Sequence, residues 1–366
     1  MTLEQHGRSH RTLVTTYMRT PQEVESINQA YQLASSNAAL DEIFGSVGCL
    51  FPEACILTIE GGHCKKPPMI RLFRTKKQDS TRQELPVLSG IRTLVLKGAW
   101  NIMREDKHFR ILADALPNIR EWHTTYAKPK IKAYALMCGV VRYIPNTLTH
   151  LNICLEGFYS KDSPSPAKMR DLQLSHHLCR DLGHVLPQLE ALTFTGRVCS
   201  ALFFSGAAST EKLRKPRLKS LDLIVKNVCR DPTAYNDGTG IHNWAFIKSF
   251  EALVTSAVRS LNTYSDLSFL RIRFIDLDSP CPLLNPYFQL KEGKCTGIWN
   301  DEILDAVGKA RSGAGFDGLD LDDGERMGVG RAVDKDGRVC VGWPGGRPKD
   351  IRVSAYKAFS EGMVIA

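Results

Sequence analysis

The chain has no apolar run long enough to span a bilayer, no apolar segment behind its basic N-terminus, no Asn-x-Ser/Thr acceptor and no Cys-x-x-Cys pair. The first absence argues against a transmembrane helix, which needs about 20 consecutive apolar residues. The second matters because Met1 to Thr20 carries His6, Arg8, His10, Arg11 and Arg19 without the apolar core of a secretory signal. The eleven cysteines are odd in number and irregularly spaced. A chain of 366 residues also buries enough core to dispense with disulfide staples. Together these features predict an intracellular protein, of the cytoplasm or nucleus, whose thiols stay free and act as small apolar residues.

The motifs that announce common chemistries are missing as well. There is no Gly-x-x-x-x-Gly-Lys-Ser/Thr phosphate loop and no Gly-x-Ser-x-Gly elbow. Gly328-Val329-Gly330 is a lone fragment without the strand and helix a dinucleotide loop requires. His176, His177, Cys179 and His184 lie near one another, and His63 adjoins Cys64, but structural zinc needs paired ligand spacings that neither group supplies. Asp320, Asp322 and Gly324 resemble a calcium loop whose glycine falls at the fifth position instead of the sixth. No catalytic residue, cofactor site or metal ligand is therefore assigned, and the chain reads as a non-catalytic protein.

What is present is a repeat. Six segments share the cadence apolar-x-x-apolar-x-apolar. They are Ile91-x-x-Leu94-x-Leu96, Ile119-x-x-Trp122-x-Thr124, Leu148-x-x-Leu151-x-Ile153, Leu189-x-x-Leu192-x-Phe194, Leu218-x-x-Leu221-x-Leu223 and Leu267-x-x-Leu270-x-Ile272. The second departs from the pattern in its last residue, Thr124. Successive starts lie 28, 29, 41, 29 and 49 residues apart. Such a cadence is common in a chain that is 43% apolar, so its surroundings decide its meaning. Pro117, Pro187 and Pro216 stand two residues before a start and Pro145 three before, where proline stops a helix and turns the chain into a strand. Amphipathic helices are predicted over Asp106–Leu116, Ile131–Ile144, His176–Leu186 and Trp244–Leu261.

The unit thus reads strand, loop, helix, turn, at a period within the leucine-rich-repeat range. Its alternation implies a parallel sheet with helices on one face. The predicted fold is an α/β solenoid over residues 49–312, beginning with a strand at Ala54–Ile59. Residues 1–48 form an N-terminal tail and helical cap, with one or two helices between Pro21 and Val47. Ten of the 28 glycines fall between Gly313 and Gly346, beside Asp317, Asp320, Asp322, Asp323 and Glu325, so residues 313–366 read as a poorly ordered, acidic tail.

In such a solenoid, strand residues that do not enter the core point outward. The register places Lys97, Glu121, His123, Thr125, His150, Asn152, Thr193, Thr195, Asp222, Arg271 and Arg273 on that face as candidate protein-binding residues. The set is mixed in charge and suits a protein ligand better than a nucleic acid, which favours a continuous basic stripe. The net charge of +9 nevertheless concentrates in two clusters, residues 65–82 and 212–219, which supply a nucleic-acid-binding alternative.

Leu116-Pro117-Asn118-Ile119-Arg120-Glu121-Trp122-His123, Tyr126-Ala127-Lys128-Pro129-Lys130, Thr147 to Ile153, Glu156-Gly157-Phe158-Tyr159 and Pro187 to Gly196 resemble fungal F-box-type proteins with degenerate leucine-rich repeats. The resemblance covers about residues 85 to 305. It implies a substrate receptor of a cullin-type ubiquitin ligase, with a protein ligand and a cullin adaptor subunit as partners. The Leu-Pro-x-Glu-like opening of an F-box is approached only at Thr20-Pro21-Gln22-Glu23-Val24, and the leucine-rich helices expected behind it are missing. The adaptor-binding half is expected to be truncated or truly absent.

Overall fold

The computed structural model describes residues 39–60, 72–73, 84–98, 102–103, 105–125, 131–155, 177–204, 215–228, 239–276, 279, 284–316, 330–333, 339–342 and 350–360. It is a mixed α/β structure whose strands pair mostly in parallel. The chain divides into two compact units, Met1–Phe158 and Tyr159–Ala366.

The first unit begins its described part with α1 (Leu40–Leu50), which buries Leu40, Phe44 and Val47 along one face. It falls in the stretch where the cap helices are expected, of which residues 21–38 lie outside the described residues. Four strands follow: β1 (Ile56–Glu60), β2 (Thr93–Lys97), β3 (Glu121–Thr125) and β4 (His150–Cys154). They pair in parallel, in sequence order and without slippage. Between them stand α2 (Asp106–Asp114) and α3 (Ile131–Val141). Phe109 of α2 packs its ring 4.5 Å from that of Trp122 of β3, so this helix covers the inward face of the strands.

The second unit repeats the pattern and then leaves it. α4 (Leu178–Val185) and a 3₁₀ turn lead into β5 (Ala191–Val198), followed by the single turn α5 (Ser200–Phe203), β6 (Ser220–Val228), the long α6 (Trp244–Ser260) and β7 (Phe269–Phe274). β5, β6 and β7 are parallel, with one irregularity after Gly196. Helix α6 starts where the Asn243 side chain accepts a bond from the Phe246 amide, the usual solution for a first-turn donor without a partner. Its Phe246 meets Phe274 of β7 at 4.7 Å.

The repeat is visible in backbone bonding. At five of the six strand entries an amide bonds back three residues: Ile91 to Leu88, Ile119 to Leu116, Leu148 to Pro145, Leu189 to Leu186, and Leu267 to Tyr264. Two successive amides then share one carbonyl of the preceding strand entry. Arg120 and Glu121 bond to Arg92, and Thr149 and His150 to Arg120. Lys219 and Ser220 bond to Glu190, and Ser268 and Phe269 to Lys219. The three cadence positions of all six segments are at most 2% exposed, Thr124 included. Burial of each apolar member stabilises by about 1.5–3 kcal/mol against an unfolded reference.

The parallel run predicted to residue 312 ends at β7. β8 (Tyr287–Lys291) pairs antiparallel with β7, and β9 (Lys294–Trp299) antiparallel with β8. Glu292 and Gly293 connect β8 and β9 with φ of 52° and 79°, the two positive values of a type I′ hairpin turn. α7 (Asp301–Ala310), capped by Asn300, leads to β10 (Gly315–Phe316).

The expected disorder of residues 313–366 is corrected in part. β11 (Gly330–Val333) and β12 (Val339–Gly342) form an antiparallel pair. β13 (Asp350–Arg352) adds in parallel to β9, and α8 (Ala355–Ser360) follows. Ile351, Val353 and Tyr356 are buried, and the Tyr356 hydroxyl donates to the Leu284 carbonyl at 2.9 Å. Three well-spaced apolar residues anchor this short segment, although the average composition around it is glycine-rich and polar.

Candidate functional site

In the first unit, six of the predicted face residues occupy three adjacent rows. Thr93, Glu121 and His150 stand in one register row; Val95, His123 and Asn152 in the next; Lys97, Thr125 and Cys154 in the third. Their inward neighbours Leu94, Leu96, Trp122, Leu151 and Ile153 are buried, which fixes the alternation and turns these nine side chains the other way. Neighbouring strands lie about 4.8 Å apart, so the four strands of this unit present a face about 14 Å wide. Thr93 Oγ1 donates to Glu121 Oε2 at 3.2 Å, and His123 Nε2 lies 3.7 Å from the same oxygen. His150 Nδ1 and the Thr149 hydroxyl share a 2.8 Å hydrogen bond. The histidines are thus held in place by neighbouring side chains while remaining open to water.

In the second unit, the register joins Ala191, Ser220, Phe269 and Lys291; Thr193, Asp222, Arg271 and Gln289; and Thr195, Ile224, Arg273 and Tyr287. Arg271 grips Asp222 with two bonds, Nε to Oδ1 at 3.1 Å and Nη2 to Oδ2 at 2.6 Å. Arg273 Nη2 reaches the same Oδ2 at 3.2 Å. The hydrogen bond to Asp222 raises the Arg271 pKa, against the opposing effect of desolvation. Asp222 is thus enclosed and charge-compensated, and Thr195, only 6% exposed and set in register beside Ile224, is withdrawn from solvent. Neither presents the open contact expected of a binding residue. With Arg271, Arg273 and Lys291 in these rows, what remains outward is net positive.

Sequence reasoning missed Tyr287, Gln289 and Lys291. Their alternation with Phe288 and Leu290 is a period-two signal, and Glu292-Gly293 supplies the turn, but Glu-Gly is a weaker hairpin signature than Asn-Gly or Asp-Gly.

Of the two basic clusters, residues 65–82 lie outside the described residues apart from Leu72 and Phe73, as do Lys212 and Arg214. Lys215 bonds Asp266 at 2.9 Å, Lys219 bonds Glu190 at 2.8 Å, and Arg217 donates to the Gln188 carbonyl. The Lys215 ammonium, with the Ser265 hydroxyl, holds the Asp266 carboxyl below the usual carboxylate range. These exposed pairs add little stability, but they occupy the cations that a phosphate would need.

Cys49, Cys55, Cys138, Cys154, Cys179, Cys199 and Cys295 form no disulfide among the described residues. Burial, with Asp350 nearby, pushes the Cys295 thiol up to about 12. At pH 8 only about one molecule in ten thousand then carries the reactive thiolate there. Iodoacetamide at pH 8 should label the exposed Cys49 and Cys55 and spare Cys295, as read by peptide mass spectrometry. Labelling of Cys295 at a rate matching the other two would refute its burial. Because this proton is held more tightly in the folded chain, its contribution to stability is complete below the unfolded thiol pKa and is lost as pH rises from about 9 towards 12.

Among the described residues, no helix is long and apolar enough to cross a membrane. No protein-family model, curated protein or solved structure matches the chain.

Proposed function

We propose that this chain is a non-catalytic, intracellular leucine-rich-repeat-type solenoid that binds another protein through its outward strand faces. The observation that carries the reading is the set of in-register rows of outward side chains on strands whose entries repeat the same bonding pattern. A rigid lattice of strands holds side chains at fixed intervals without the entropy cost of ordering loops on binding. The resemblance to fungal F-box-type proteins extends the proposal to a substrate receptor related to cullin-type ubiquitin ligases. The nucleic-acid alternative has less support, since Lys215 and Lys219 already hold acidic partners.

Affinity purification of the tagged protein from its own cells, with mass spectrometry of the bound proteins, tests both halves. Co-purification of a cullin adaptor supports the ligase role. Enrichment of a different protein without the adaptor leaves a repeat scaffold and removes the ligase. The variants His123→Asp, Asn152→Asp and Thr193→Asp should each abolish capture of the ligand while the far-ultraviolet circular dichroism stays unchanged. A ligand that stays bound to all three variants would overturn the strand-face model.

A further inference from the structure

We infer that the outward side of β7 binds an extended acidic peptide of a partner protein, in which an apolar residue is followed at the second and fourth positions by carboxylates. This rests on the protein-binding reading above and specifies the chemistry of the ligand. Phe269, Arg271 and Arg273 take alternate positions on one strand, so their side chains stand about 6.7 Å apart. An extended peptide lying along the strand presents its own alternate side chains at the same interval. The Arg271 guanidinium lies 5.4 Å from the centre of the Phe269 ring, which makes the apolar and cationic ends of the row contiguous.

Charge in the row is not balanced. Two guanidiniums share the single carboxylate of Asp222. Arg271 uses both of its oxygens, whereas Arg273 reaches only one, and Arg273 Nε is shielded from water without an acceptor among the described residues. The register neighbours add no anion: Gln289 faces Arg271 and Lys291 faces Phe269. A carboxylate arriving beside Arg273 meets a guanidinium, 31% exposed, that the shared Asp222 neutralises only in part, in a half-desolvated setting where charge-assisted bonds are strong.

Fluorescence anisotropy on the full chain tests this with three labelled probes: a decapeptide containing Leu-Ser-Asp-Ser-Asp, its Asn-for-Asp twin, and a single-stranded RNA decamer. The aspartate peptide should bind, more weakly as salt rises, and the twin should not. Arg273→Gln, which spares the Arg271 pair, should weaken binding about tenfold, the size of one charge-assisted bond. Asp222→Asn, which releases both guanidiniums, should tighten binding, an outcome that damage to the fold would not produce. The inference is overturned if the aspartate peptide does not bind, if the twin binds equally well, if RNA binds more tightly and displaces the peptide, or if Arg273→Gln has no effect. Should the strand-face variants release a captured partner while Arg273→Gln does not, protein binding stands and this assignment is removed.

Discussion

Trp122→Ala should lower the stability of the first unit by about 3–5 kcal/mol, the usual cost of emptying a buried aromatic site. Trp122 is among the largest fully buried side chains, packed against Phe109 at the centre of the inward sheet face. The cavity would open between a strand and the helix above it, and neither neighbour can close the gap without breaking the register with β2 and β4. A loss of this size is a large fraction of the roughly 5–15 kcal/mol by which a native protein is stable. Urea unfolding followed by circular dichroism should therefore show a large fall in midpoint or an insoluble protein. Trp122→Phe gives the internal control. The indole Nε1 is buried without an acceptor among the described residues, so phenylalanine loses volume but also removes an unsatisfied donor. Its cost should be well under half that of alanine. Equal costs for the two variants would show that volume at this site does not govern stability.

Gly297→Ala should be the most damaging single-methyl addition in the second unit. The residue has φ of +111°, which side-chain-bearing residues rarely adopt, and a Cβ there would sit 2.1 Å from the Tyr287 carbonyl oxygen. The obstacle is backbone of the paired strand β8, so no side-chain rotation relieves it. Strain in such a conformation costs about 1–3 kcal/mol, and forcing extra volume into a packed site adds about 1–3 kcal/mol more. The same residue anchors β13, because its amide donates to Asp350 Oδ1 at 2.8 Å. Amide hydrogen exchange should show β8, β9 and β13 losing protection together in the variant. Gly293→Ala, whose added methyl meets nothing within 4 Å, should cost less despite its own positive φ. Protection that is unchanged in Gly297→Ala would contradict the geometry of this hairpin.

The repeat core was legible in the sequence because its signal is physical and local. Each cadence residue goes to the same environment, and even Thr124 follows its neighbours into the interior. The four predicted helices form at their expected places, with ends up to three residues shorter. The outward register of the first unit follows from the same alternation. The hairpin after β7 was not legible, because its only period-two stretch is five residues long and its turn pair is unusual. The order at Ile351 to Tyr356 was hidden by averaging over a glycine-rich, acidic region. The sequence register placed Asp222, Arg271 and Arg273 on the outward face, but it could not show that one carboxylate serves two guanidiniums. That depends on side-chain reach across β6 and β7.

The shared carbonyl at successive strand entries separates distance along the chain from position in space. Lys219 and Ser220 reach back 29 and 30 residues to the Glu190 carbonyl, at 2.9 and 3.1 Å. Ser268 and Phe269 reach back 49 and 50 to the Lys219 carbonyl, at 3.0 and 3.1 Å. Twenty additional residues leave the joint unchanged. Loop-closure entropy rises only about 0.6 kcal/mol for each doubling of length. The segments between strands can therefore be lengthened, replaced or used to carry inserted modules at small thermodynamic cost, while the strand lattice keeps the same addresses for whatever it holds.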